Sequence, residues 1–180
     1  LSSVQMGLWM PLSRAHGKTP REPWQYGDMA LKEVKKWINF RHRLVPYLYH
    51  TACQSHQSGI PMIRPLVMEY PKDPIAKIQN LSYMLGDALL ISPGFDRDEY
   101  ELYLPEGRWQ DIESKEVYEG MTFVHIENKA FADGGTSLRV FQKEGTSIPL
   151  FAQKEVLHVP AQLWKQEDLE FMTFQKKDVD

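Results

Sequence analysis

Cysteine is nearly absent: Cys53 stands alone in 180 residues, which excludes an internal disulfide and leaves the redox compartment open, a reducing cytosol being compatible. No apolar run approaches the roughly 18 residues a transmembrane helix needs, so no membrane partner is expected. Charge is equally short of blocks. With 24 acidic and 21 basic residues the formal net charge is -3, and no basic stripe exists for nucleic acid or an anionic bilayer to engage. Internal repeats and low-complexity tracts are missing too. The first residues, LSSVQMG, contain neither an initiator Met nor the basic and apolar regions of a signal peptide. The chain is therefore expected to be part of a longer one, whose remainder would carry the targeting signal and the chemistry.

What is present suits a packed core, since 42% of the residues are hydrophobic and 12% aromatic. Leu8 to Leu12 read as a short strand broken at Pro11, which has no N–H to give a ladder. Residues 13 to 27 mix Gly17, Pro20, Pro23 and Gly27 with polar groups, a composition that resists helix and strand alike. From Asp28, an N-cap residue type, Leu31, Val34, Ile38, Arg41, Val45, Leu48 and Ala52 recur at spacings of three and four, with Gly59 as the stop. A helix of about 30 residues would run about 45 Å, and its apolar face must bury against something large. Pro46 cannot donate to the carbonyl four residues back, so a kink or a break into two helices is expected there.

After Gly59 the period becomes two. The runs PMIRPLVMEY, DALLISP, YELYLP, RWQDI, TFVHIE, SLRVFQ, SIPLF, EVLHVP and LEFMTF, punctuated by Gly and Pro, fit an antiparallel sandwich or barrel. KDPIAKIQNLSYMLGD reads as a short helix ending at Gly86, and LPEGRW as a hairpin turn in which Gly107 takes positive φ. The shift of pattern near residues 59 to 61 is the expected domain boundary, with a second near 151 to 154.

Few residues suggest chemistry by spacing alone. His16 follows the expected strand and precedes a glycine, a place from which a side chain can enter a cleft, although a histidine bonded to local backbone is the more ordinary reading. Arg14, one strand period away, would face the same side as an ion-pair partner or carbonyl clamp. His50, Cys53 and His56 do not form a metal site, because His56 is rotated about 120° from His50 on a helix and no fourth ligand follows. His42 reads the same way, and His125 and His158 alternate with apolar neighbours as solvent-facing strand residues. Asp28 and Asp87 follow glycines but read as a cap and a turn residue. Gly134 and Gly135 make a turn rather than a phosphate cradle, and no serine has a nucleophile-elbow context.

Taken in order, SRAHG, EPWQYG, RHRLVPYLY, GIPMIRPLVMEYPKD, YMLGDALLISPGF, YLPEGRW and GTSIPLF resemble the C-terminal third of glycoside hydrolase family 31, the α-glucosidases, α-xylosidases and related transglycosylases. The resemblance implies a multi-part fold: residues 1–58 as the final strand and helix of a (β/α)8 TIM barrel, 59–150 as the proximal C-terminal β-sandwich, and 151–180 as the start of a distal β domain. It implies a retaining, exo-acting α-glycosidase that removes terminal α-linked glucose or xylose by double displacement, with both aspartates upstream and no catalytic residue in this chain. GDM at Gly27 to Met29 is not the nucleophile motif, since it opens the helix after the last strand.

By the same resemblance His16 matches the family histidine that bonds a sugar hydroxyl, with Arg14 and Trp24 as site support and Pro23 and Trp24 anchoring the loop on the barrel rim. Arg41, Arg43, Tyr47 and Tyr49 are expected to pack against the sandwich, and Arg64 to form an interdomain ion pair. Tyr103 and Trp109 could be a sugar platform, but strand alternation favours core burial of at least one. No metal or cofactor is implied. The implied partners are a carbohydrate substrate and the rest of the barrel, with neither nucleic acid nor membrane, and a homo-oligomer stays open. A noncatalytic β-sandwich module that steadies the barrel or binds carbohydrate is the alternative. Which sugar, and hydrolysis against transglycosylation, also stay open; SRAHG followed by EPWQYG leans toward the α-xylosidase and bacterial α-glucosidase branches.

Overall fold

Proline decides where the long helical run divides. In the computed structural model, which describes residues 6–94, 99–127, 138–152 and 165–174, helix α1 (Asp28–Arg43) and helix α2 (Val45–Ser58) are separated by Leu44. Pro46 thereby falls in the first turn of α2, where a missing N–H breaks no intrahelical bond. Asp28 is the first helical residue of α1 rather than its cap, and Gly27 precedes it without a side-chain capping bond. Its carboxylate still lies in the first turn, where the helix dipole favours an anion. Helix α2 stops at Gly59, whose N–H donates to the Ser55 carbonyl at 2.9 Å.

The strand expected from Leu8 to Leu12 does not form. The Trp9 and Met10 N–H groups donate to the Met6 and Gly7 carbonyls at 3.1 and 3.2 Å, so the segment turns. Leu8 and Trp9 are consecutive and both buried in one cluster, whereas a strand would send them to opposite faces.

Downstream, among the described residues, ten strands form three antiparallel sheets. They are β1 (Ile63–Pro65), β2 (Tyr83–Leu85), β3 (Leu89–Pro93), β4 (Glu99–Leu104), β5 (Arg108–Asp111), β6 (Val117–Glu119), β7 (Thr122–Glu127), β8 (Leu138–Lys143), β9 (Ser147–Phe151) and β10 (Leu169–Thr173). The largest sheet has the order β1-β2-β3-β8-β5-β6, while β4 pairs with β7 and β10 with β9. This mostly antiparallel arrangement is consistent with a β-sandwich. A single turn of helix, α3 (Leu66–Glu69), follows β1.

The central strands of the large sheet are buried on both faces, and the two-residue period sorts their side chains. Leu85, Leu89, Ile91, Leu138 and Val140 join the cluster that holds Trp9, Trp37, Leu44 and Tyr47 from the helical part. Met84, Leu90 and Phe141 point the other way, toward Tyr100, Leu102, Leu104, Val124 and Ile126 of the β4–β7 ladder. The helices thus find their large apolar partner in this sheet.

Two local expectations fail for identifiable reasons. LPEGRW is a corner between sheets, since β4 pairs with β7 while β5 pairs with β6 and β8. Gly107 does take positive φ, at 120°, but the fully buried Trp109 donates its indole N–H to the Pro105 carbonyl at 2.8 Å and draws the turn inward. KDPIAKIQN holds turns instead of a helix. The Asp73 carboxylate accepts from the Ile75 and Ala76 N–H groups at 2.8 and 3.1 Å, a local alternative that competes with helix formation, and Tyr83–Leu85 are claimed by β2. EVLHVP, Gly134, Gly135 and His158 lie outside the described residues.

One phenol closes the junction between helices and sheet. Tyr47, on α2, donates to the Leu85 carbonyl at 2.7 Å and accepts from the Ala88 N–H at 3.1 Å, bracketing the β2–β3 turn. Burial pushes its hydroxyl up to about 12. Gly86 between them has φ 60°, and a Cβ there would collide with the Tyr47 hydroxyl and stand 2.9 Å from Thr51 Oγ1. Tyr47→Phe removes both hydrogen bonds and is expected to lower the unfolding free energy by about 1–3 kcal/mol in urea titrations. Gly86→Ala should cost more, and a midpoint unchanged by either substitution would refute this account of the junction.

Candidate functional site

His16 and Arg14 lie on the loop between the turn at Leu8–Met10 and the 3-10 helix Pro23–Tyr26, and Trp24 lies in that helix. The base of this loop is held firmly. Trp9 stacks among the rings of Trp37 and Phe40, with centroids 5.8 and 5.5 Å away. Arg41 reaches back from α1 and donates to the Leu8 and Pro11 carbonyls at 2.5 and 3.0 Å. Beyond that base the chain is open: Arg14, His16 and Trp24 are all exposed, Trp24 to 63%. Within the described residues no hydrogen bond, ion pair or ring contact joins the three.

The other candidates resolve into structural roles. Tyr103 and Trp109 are both fully buried, so neither is a sugar platform; the Tyr103 hydroxyl donates to Asp73 at 2.6 Å, and burial together with that carboxylate pushes it up to about 12. Arg64 pairs with Glu69 at 2.8 Å and Asp87 at 2.6 Å, both in the part after Gly59, so it does not bridge the boundary drawn from the sequence. Its guanidinium is only 8% exposed and lines a cleft of about 340 Å³ with Thr51, Gln54, Ser58, Ile60 and Asp87. Arg43 does cross that boundary, donating to the Phe151 carbonyl at 3.0 Å and pairing with Glu170. Tyr49 is exposed at 56%. Among the described residues no cluster of His, Cys, Asp or Glu could hold a metal ion. Sequence reasoning placed Arg41 against the sandwich and missed its grip on the loop base; only the signal of an arginine on the helix after the loop was available.

Comparison with known proteins bears on this site. Residues 3–51 match the description "Glycosyl hydrolases family 31 TIM-barrel domain" and residues 59–155 "Glycosyl hydrolase family 31 C-terminal domain". Human neutral alpha-glucosidase AB is 34% identical over 152 residues, covering 81% of this chain and 16% of that protein. The chain thus spans less than a fifth of this curated relative. Among solved structures, a family 31 dextranase from Flavobacterium johnsoniae complexed with glucose is 32% identical with a TM-score of 0.75, covering 83% of this chain and 18% of that one. A family 31 alpha-xylosidase from Xanthomonas citri is 26% identical at TM-score 0.75, covering 88% and 18%.

One histidine cluster mimics an active centre without being one. His125 on β7 faces Glu101 on β4 at 2.7 Å and Glu99 at 3.6 Å, exposed as its strand position suggests. The hydrogen bond to Glu101 raises its pKa above 6.5, with Glu99 and Glu127 adding to the effect. A raised histidine pKa in the folded state stabilises below the unfolded value, about 6.5, and that contribution is lost as pH rises through the folded pKa. Proton NMR of the His125 ring should show a midpoint above 6.5, and Glu101→Gln should bring it down; a wild-type midpoint at or below 6.5 would contradict the pairing.

Proposed function

Because the chain belongs to glycosyl hydrolase family 31, we propose that it is the C-terminal portion of a retaining, exo-acting α-glycosidase that removes terminal α-linked glucose or xylose from oligosaccharides or glycosides. In this reading residues 1–58 complete the catalytic barrel, 59–150 form the proximal β-sandwich and 151–180 open a distal β domain. The observation that carries it is the exposed loop of Arg14, His16 and Trp24 on a firmly held base, within a segment that matches the family's barrel domain. Active sites of such barrels gather on the loops after the strands.

His16 presents an imidazole to a sugar hydroxyl and fixes the ring in the subsite of the cleaved residue; Arg14 and Trp24 shape the rim. The bond-making groups are two aspartates from preceding barrel strands, which retaining glycosidases hold about 5–5.5 Å apart. One attacks the anomeric carbon to give a covalent glycosyl-enzyme, while the other protonates the leaving oxygen and then activates water. This chain supplies neither. The carbohydrate partner is supported by the relatives solved with sugars, such as the dextranase complexed with glucose. The reading as a module that steadies the barrel is supported by the Tyr47 and Arg43 contacts between helices and sheet, and the two roles coexist in one longer protein.

In the longer protein that carries this chain, His16→Ala should lower kcat/KM for an aryl α-glucoside or α-xyloside at least about tenfold, and unchanged kinetics would remove His16 from the site. The 180-residue chain alone should not turn over either substrate; saturable hydrolysis by the purified chain would place catalytic carboxylates within it.

A further inference from the structure

The loop that carries His16 leaves the core at Leu8 to Pro11, a stretch with no strand partner among the described residues. Its carbonyls take donors from elsewhere: Leu8 is buried, where a backbone acceptor without a partner is costly, while Pro11 is exposed. Arg41 supplies them for two residues at once: Nη1 to the Leu8 carbonyl at 2.5 Å and Nη2 to the Pro11 carbonyl at 3.0 Å. The guanidinium is half-buried, and desolvation lowers its pKa. Trp9, next to Leu8 in the chain, packs against Trp37 and Phe40. From Pro11 onward nothing comparable holds the chain: Leu12 is 82% exposed and Arg14 to Glu22 are exposed throughout.

We infer that Arg41 is a positioning residue for sugar binding, setting through its two-carbonyl clamp the direction in which the chain leaves Pro11 and thus where His16, five residues on, presents its imidazole; this rests on the reading of His16 as a sugar contact. A planar fork with several donors in fixed geometry can bridge two carbonyls, whereas the single ammonium of a lysine bonds them one at a time. A small rotation at Pro11 is amplified along the unsupported loop, so loss of the clamp displaces His16 without touching the substrate.

A double-mutant cycle in the longer protein tests this, with kcat and KM measured on an aryl α-glucoside or α-xyloside and the melting temperature recorded for each variant. Arg41→Ala should lower kcat/KM about tenfold in the wild-type background and less than about twofold in His16→Ala, because the residue it positions is already gone. Arg41→Lys should fall between wild type and Arg41→Ala. A general weakening of the fold would instead act alike in both backgrounds. Additive losses, or wild-type kinetics in Arg41→Ala while His16→Ala is impaired, would overturn the inference and leave the His16 assignment standing. Wild-type kinetics in His16→Ala would overturn the assignment itself and this inference with it.

Discussion

The junction between helices and sheet is arranged about the hydroxyl of Tyr47. A phenol that both donates to Leu85 and accepts from Ala88 fixes α2 against the β2–β3 turn within hydrogen-bond tolerance, a far narrower range than apolar contact allows. Gly86 makes that approach sterically admissible, because any side chain there would meet the phenol. Arg64 then clips the same turn through Asp87 and ties it to α3 through Glu69. Deletion of one partner from such a buried group leaves the other desolvated and unpaired, which is why the arrangement behaves as a unit.

From that junction the two-faced sheet follows. Once helices cover one side of β3, its alternate residues need a second apolar layer, and all five of its positions are buried. The β4–β7 ladder provides the layer through Tyr100, Leu102, Val124 and Ile126, while its outer positions carry Glu99, Glu101, His125 and Glu127. At the other end of that outer face Phe123 packs against Tyr103. The dense layers take in Leu8 and Trp9 as well as the elements from α1 onward, and the loop between them is exposed.

Much of this was legible in the sequence because it depends on periodicity. The apolar stripe from Leu31 to Ala52, the break forced by Pro46 and the outward placement of His125 all follow from local spacing. What failed depended on partners far along the chain. Leu8 to Leu12 has strand composition, yet two consecutive residues enter one cluster because Trp37 and Phe40 receive them. LPEGRW has hairpin chemistry, but a turn cannot disclose that its flanking strands belong to different sheets. Arg64 had a recognisable motif and no readable partner. At the candidate site the loop was legible from its composition and His16 was singled out by motif resemblance, whereas the hydrogen bonds from Arg41 were not legible, since a helix pattern does not reveal which carbonyls an arginine will find.

The last turn of α1 shows how few residues link these levels. Arg41, His42 and Arg43 crowd the helix end where the dipole favours cations, but charge alone does not explain two arginines. Residues two apart on a helix point about 200° from one another, so no single side chain could serve both directions. Arg41 reaches back to the loop base and Arg43 forward to the Phe151 carbonyl and Glu170 at β9 and β10. One turn of helix thereby fastens the loop and the sheet to the same rigid body. The orientation of the candidate sugar contact is referred to the sheet through two guanidinium forks rather than through the flexible chain between them.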